Sequence, residues 1–308
     1  MQLSIVVPVY QSEECLSELH RRLTLVLKSM RVSYEMIWVD DGSLDGSWDR
    51  MKALALRDRR LKILRLNRNF GQHQALTAGL DLAQGAWVVV MDCDLQDRPE
   101  EIPRLYSKAL EGHEMVLACR TLRQDPWIKL QASKAFYLIF QWLTGMKYDG
   151  RIGNFRILSR RIADQFRTFR ERARFFGAIL HWMGAPAATL DVQHEPRFAG
   201  QTTYNYRKLF RLGFEVCLAY SDKPLRLAVG LGFWMAGCSI LGGGWIFFRA
   251  LFRGIPIPGW GSLFVSLYFL SGVLISVLGI VGLYVGKTFD EVKARPLYLV
   301  LDSRNVGD

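Results

Sequence analysis

Two stretches of this chain carry no charged residue, Leu227 to Phe248 and Ile255 to Gly286. About 20 apolar residues span the hydrocarbon core of a bilayer, so each stretch is long enough to cross one. Uncharged runs of this length are rare inside soluble folds. Two transmembrane helices are therefore expected, at about 227–248 and 262–286 within a membrane segment 224–286. Hydrophobic residues make up 50% of the 308, which agrees. The connection from Arg253 to Gly261 is short and rich in Gly and Pro, so the two helices should form an antiparallel hairpin. Gly242-Gly243-Gly244 would let the first helix approach a neighbour closely. The same helices offer a surface for a homo-oligomer.

Charge sets the expected topology. The net charge is +11, mostly before the hairpin, and Lys287, Lys293 and Arg295 follow it. The positive-inside rule then puts both termini in the cytoplasm, with Arg249 and Arg253 at the outer turn opposing it in part. Before the first crossing, Tyr204 to Tyr220 alternates Arg207, Lys208 and Arg211 with Leu209, Phe210, Leu212 and Phe214. That pattern predicts an interfacial helix over 204–223 whose cations reach the headgroups. Phe289 to Tyr298 is its expected counterpart, within a cytoplasmic juxtamembrane tail 287–308. Five scattered cysteines without a C-x-x-C point to a reducing compartment and no structural metal. No basic run is interleaved with stacking aromatics, so membrane lipids, not nucleic acid, explain the basicity.

The first 120 residues have a different rhythm. Apolar runs at Leu3–Val9, Tyr34–Val39, Leu61–Leu66 and Ala86–Met91 alternate with helical patterns over Cys15–Met30, Leu44–Arg57 and Gln72–Ala83. Strand alternating with helix predicts an α/β domain, here 1–203, built on a mainly parallel sheet. Each run ends in a polar cluster, at the carboxyl edge where open α/β sheets place ligands. The fourth cluster is Asp92-Cys93-Asp94-Leu95-Gln96. Carboxylates on alternate residues at a strand's end suit a hard divalent cation, which in turn holds a diphosphate.

Taken in order, the clusters resemble a known family. Val7-Pro8-Val9-Tyr10, the D-D-G-S-x-D-G of Asp40 to Gly46, the N-x-G-x-x-x-A-L-x-x-G-L of Asn69 to Leu80 and the D-x-D-L-Q-D-x-P-E of Asp92 to Glu100 are similar to glycosyltransferase family 2, with its GT-A fold. Gly153-Asn154-Phe155-Arg156, Arg197 to Tyr204 and Lys223-Pro224-Leu225-Arg226 resemble the polyprenyl-phosphate hexose synthases within it. That group includes dolichyl-phosphate mannose synthase and the bacterial undecaprenyl-phosphate glucosyltransferases. The resemblance implies a bacterial inner-membrane, multi-pass enzyme with its catalytic domain in the cytoplasm. Its partners would be a nucleotide-diphosphate sugar, UDP-hexose foremost, and polyprenyl phosphate.

The resemblance also assigns roles. Asp94 and Gln96 match metal-binding positions, for Mg²⁺ or Mn²⁺, and Asp92 matches a ligand of the metal or of the donor ribose. Pro8 and Tyr10 match the loop that binds the base, Asp40 the carboxylate that contacts it, and Asp41 a support of that loop. Ser12 stands where a carboxylate is frequent, with Glu13 as its possible substitute. Arg120 matches an arginine near the donor phosphates. For the acceptor phosphate, Lys129 and Ser133 match a basic residue and a serine four apart on a helix. Arg197 opens the R-x-x-G-x-T-x-Y loop that folds over the site and is assigned to catalysis with Asp94. Arg156 is open between phosphate binding and structural pairing. Relatives often carry aspartate where this chain has Asn154, and asparagine cannot act as a base. His73 and His181 lack metal-ligand spacing and read as structural.

The expected reaction is inverting transfer of a sugar to the lipid phosphate, since no nucleophile for retention is evident. A processive synthase would carry Q-x-x-R-W, which is absent. Two rival functions stay open: a transferase acting on a lipid-linked sugar, and a silent nucleotide-sugar-binding membrane scaffold. The intact acidic motif and Arg197 weigh against the scaffold.

Overall fold

The structure is a computed structural model, and it describes residues 1–120, 141, 151–172, 174–193, 195, 221–253 and 259–307. The first unit is built on eight strands: β1 (Leu3–Val9), β2 (Tyr34–Asp40), β3 (Leu61–Leu66), β4 (Trp87–Val90), β5 (Met115–Arg120), β6 (Ile152–Ser159), β7 (Ala187–Val192) and β8 (Val300–Arg304). They form one sheet in the order β7-β5-β6-β4-β1-β2-β3-β8. The four central strands, β4-β1-β2-β3, are mutually parallel. Their carboxyl ends therefore open on one edge. β6 runs antiparallel between β4 and β5, so its amino end joins that same edge.

β1 and β2 are buried along their whole length, which is why they read as unbroken apolar runs. Leu3, Ile5, Val7 and Val9 share a core with Leu16, Leu19 and Leu23 of α1 (Glu13–Ser29) and Trp48 and Met51 of α2 (Ser47–Arg57). On the opposite face Val6 meets α3 (Gln72–Leu82) at Gly79, where a Cβ would stand 2.5 Å from the Val6 Cγ1. A short 3₁₀ turn, Pro99–Glu101, leads into α4 (Ile102–Leu110), and α5 (Arg160–Thr168) and α6 (Phe176–Trp182) follow β6. The four early strands and three early helices agree with the expected runs to within three residues. β6, β7 and β8 were not expected.

The C-terminal segment contributes a strand to the sheet. Val300–Arg304 pairs antiparallel with β3 as the eighth strand of the sheet. The Asn305 side-chain amide donates to the Ala55 carbonyl at 2.9 Å and the Leu61 carbonyl at 2.8 Å. Tyr298 donates its hydroxyl to Asp81 at 2.7 Å, and Asp81 also pairs with Arg170. Phe289–Tyr298 is accordingly no separate interfacial helix. Its first part is the end of a long helix, and its last residue is a fastener of the sheet unit.

The second unit contains two long helices, α7 (Lys223–Arg253) and α8 (Trp260–Val292). They cover both expected apolar spans and extend beyond them. Within α8, Phe269–Val292 is long and apolar enough to cross a membrane, and its apolar stretch is unburied. The expected interfacial stretch Tyr204 to Tyr220 lies outside the described residues.

Candidate active site

The loops after β1 and β2 are tied together by side chains of the D-D-G-S-x-D-G segment. Gln11, with φ +48°, donates its N–H to the Ser43 hydroxyl at 3.0 Å, and Ser12 donates to the Ser47 hydroxyl at 3.0 Å. Glu13 accepts the Gly46 N–H at 3.1 Å, at the start of α2. Glu13 thereby helps to hold the start of α2. Pro8 is buried beside Val39, while Tyr10 is 42% exposed on the edge of the site.

The two aspartates of this segment differ in role. Asp40 is wholly buried; it accepts the Ser43 N–H at 3.1 Å and faces the Arg65 Nε at 3.4 Å. Burial pushes its carboxyl up, against the hydrogen bonds from Ser43 and the charge of Arg65. Its Oδ2 has no hydrogen bond, so capacity to accept one from a base is present. Asp41 is engaged on both oxygens: it takes the Phe70 N–H at 2.7 Å and the Gly71 N–H at 2.9 Å, one on each. It fixes the entrance to α3, in keeping with its expected part as a support of the loop.

Beyond β4 the chain alternates. Asp92, Asp94 and Gln96 are half-buried toward the site, whereas Cys93, Leu95 and Asp97 are buried behind them. Leu95 has φ +60°, a conformation unusual for leucine and found mostly where packing enforces it. Asp92 Oδ1 accepts from the Gln72 amide at 2.7 Å and from the Asn154 amide at 3.3 Å. Asp94 Oδ1 accepts the Gln96 N–H at 3.2 Å. Burial, then the charge of Asp94, raises the Asp92 carboxyl. Behind it Asp97 is pushed up to about 7, first by burial and next by Asp92, with Arg120 opposing. Arg120 lies 3.4 Å from Asp97 and passes over Gly153, where a Cβ would come within 2.9 Å of the guanidinium. The Cys93 thiol, pushed up to about 12 by burial, is no nucleophile.

The cation implied for this edge is Mg²⁺ or Mn²⁺. Among the described residues no group of three or more His, Cys, Asp or Glu is arranged to hold a metal unaided. Asp92, Asp94 and Gln96 offer hard oxygen donors at one strand end, with an Asp92 oxygen left over. Magnesium typically uses one or two carboxylates plus substrate phosphates. The residues therefore fit a cation completed by a bound diphosphate.

The edge thus brings together Asp92, Asp94, Gln96 and Arg120, with Tyr10 and Asp40 on the neighbouring strand ends. Arg156 belongs to the wall instead: it is 6% exposed, donates to the carbonyls of Gly153 and Asn154, and lies over the Phe176 ring at 4.9 Å. Of the two roles open to Arg156, structural pairing is the one its surroundings favour. His73 is held neutral, its pKa pushed down to about 4 by burial and then by Arg156 and Arg174. Lys129, Ser133 and Arg197 lie outside the described residues. The described residue nearest to Arg197 in sequence is Glu195. Glu195 donates its N–H to the Gln96 carbonyl at 3.1 Å, and its carboxylate pairs with Arg98 at 3.0 Å and Arg22 at 3.2 Å. Sequence reasoning assigned no role to Gln72 or Asp97. Both stand inside the family-like motifs, but neither periodicity nor spacing shows which side chain each would meet.

The glycosyl transferase family 2 model matches residues 4–173. The SfII prophage-derived bactoprenol glucosyl transferase of Shigella flexneri is 35% identical over 304 residues, covering 98% of each chain. The undecaprenyl-phosphate 4-deoxy-4-formamido-L-arabinose transferase of Aeromonas hydrophila is 34% identical, over 97% of this chain and 92% of that one. In fold, the chain is similar to glucosyl-3-phosphoglycerate synthase from Mycobacterium tuberculosis, solved with Mn²⁺, UDP-glucose and phosphoglyceric acid. The TM-score is 0.51 at 16% identity, over 70% of this chain and 77% of that one. With a GT-A-like α/β sheet and a family match over more than half its length, the chain belongs to glycosyltransferase family 2 and is a glycosyltransferase.

Proposed function

We propose that the chain transfers a hexose, with inversion, from a UDP-sugar to polyprenyl phosphate at the cytoplasmic face of a bacterial inner membrane. One observation carries this reading. The relatives named for bactoprenol and undecaprenyl phosphate match nearly the whole chain, the two long helices included. The site's chemistry supports it. A phosphate oxygen of the acceptor attacks the anomeric carbon while the bond from that carbon to the donor's diphosphate oxygen breaks, releasing UDP. The attacking oxygen is already anionic, so no strong base has to remove a proton. Asn154, which cannot serve as a base, is therefore compatible with turnover. Bound Mg²⁺ or Mn²⁺ would neutralise charge growing on the leaving diphosphate. Asp94 and Gln96, with Asp92, would hold that cation. Arg120 supplies a fixed positive charge beside them. The decisive test is a screen of nucleotide sugars with a short polyprenyl phosphate, read by mass spectrometry. Only a product of sugar plus lipid phosphate upholds the proposal. A product on a lipid-linked sugar alone overturns it.

The proposal includes a membrane hairpin. β8 pairs with β3 after the chain has passed through α7 and α8. A chain that leaves the sheet's side of a membrane and returns to it crosses an even number of times. If Phe269–Val292 crosses, a partner crossing is required, and the uncharged part of α7 supplies it. In a background without native cysteines, a cysteine at Ser262 is expected to react with an impermeant thiol reagent applied to intact cells, and one at Ser303 is not. Reversed labelling overturns the orientation.

A further inference from the structure

Asp92 is held from two sides by one of its oxygens. The Gln72 amide, on the first residue of α3, donates to Oδ1 at 2.7 Å, and the Asn154 amide, on β6, donates to the same Oδ1 at 3.3 Å. Two donors fill the acceptor capacity of one carboxylate oxygen. Among the described residues no hydrogen bond falls on Oδ2. The carboxylate is thereby fixed in rotation, with one oxygen spent inside the protein and the other available to a ligand.

Each donor is itself braced. Gln72 follows Gly71, whose φ of +109° suits glycine. The N–H groups of Phe70 and Gly71 end on Asp41, so that buried aspartate acts on Asp92 through the position of Gln72. On the other side, Arg156 donates to the carbonyls of Gly153 and Asn154 and rests on Phe176, which fixes the start of β6. An aspartate at 154 would set a fourth carboxylate beside Asp92, Asp94 and Asp97, where an amide now donates to Asp92. Seen this way, asparagine at 154 supplies a donor to Asp92 where a base is missing.

We propose that Gln72 and Asn154 are positioning residues that clamp Asp92 through Oδ1 and present Oδ2 to the cation and diphosphate of the donor. This rests on the reading of Asp92 as a donor-site residue. Outer partners that orient a metal-binding carboxylate typically alter metal affinity by about 10- to 100-fold when removed. The test uses the full chain in detergent, with Mn²⁺ titrated by electron paramagnetic resonance in the presence of UDP. Gln72→Met and Asn154→Leu keep side-chain size, remove the donor and add no charge. Each is expected to raise the Mn²⁺ Kd about tenfold or more while the thermal unfolding midpoint stays near that of the wild type. In an Asp92→Asn background neither should raise it further, because both act through that carboxylate. If one variant fails to fold, the other still decides. An unchanged Kd in a folded variant overturns the clamp, as do effects that persist in the Asp92→Asn background. Absence of Mn²⁺ binding by the wild type with UDP overturns the metal reading itself, and the clamp with it.

Discussion

Asp94→Asn is expected to lower turnover by more than about 100-fold, the usual loss when one strong electrostatic stabiliser of a developing charge is removed. In the proposed reaction a nucleoside diphosphate leaves, so negative charge grows on the leaving oxygen, and the residues that anchor a compensating cation would govern the barrier. Asp94 stands half-buried at the end of the central parallel strands, between buried Cys93 and buried Leu95. Asparagine keeps the shape and hydrogen-bonding reach but removes the charge that a hard cation selects. Because no cluster of described residues encloses a metal unaided, cation affinity should also depend on the nucleotide. Calorimetry is expected to show weak Mn²⁺ binding alone and tighter binding with UDP. EDTA should abolish activity, and added Mg²⁺ or Mn²⁺ should restore it. Full activity in chelator would overturn the assignment of Asp94.

Much of this site was legible in the sequence because it obeys local rules. An apolar run followed by polar residues marks a parallel strand and its carboxyl end, and four such ends had to meet on one edge once the strands paired in parallel. That placed Tyr10, Asp40, Asp92 and Asp94 near one another before any contact was known. What the sequence hid depends on pairing between distant segments. Nothing local in Val300–Arg304 announces that it will close the sheet beside β3, since the strand is short and exposed on its edge. Nothing near Asp41 shows that both its oxygens go to Phe70 and Gly71, some 30 residues on. Two adjacent aspartates look alike as letters. One leaves an oxygen without a hydrogen bond beside Arg65, and the other takes a backbone amide on each oxygen. The antiparallel β6 was missed for a related reason: its role comes from lying between β4 and β5, which delivers Asn154 to Asp92 and Gly153 to Arg120.

Arg197→Ala is expected to remove nearly all activity, whereas Arg197→Lys should retain part of it. Arg197 lies two residues past Glu195, whose N–H is bonded to the Gln96 carbonyl and whose carboxylate is held by Arg22 and Arg98. Glu195 thereby ties the described chain to the loop that carries Gln96, and we propose that Arg197 serves a phosphate of this site. Two phosphates are candidates, the acceptor's and the donor's. We assign the acceptor phosphate because the stretch 204–223, just beyond, is expected to lie on the bilayer surface, and a lipid phosphate stays near the headgroups. The guanidinium grips phosphate oxygens as a planar fork, while lysine keeps the charge and loses the second contact. That difference is why the lysine variant should fall between wild type and alanine. Donor binding measured by calorimetry without lipid should change much less than turnover. If Arg197→Ala instead abolishes nucleotide-sugar binding and leaves acceptor affinity untouched, the residue serves the donor diphosphate. The anion that attacks would then need another cation to hold it, with Lys208, in the same basic stretch, as the next residue to substitute.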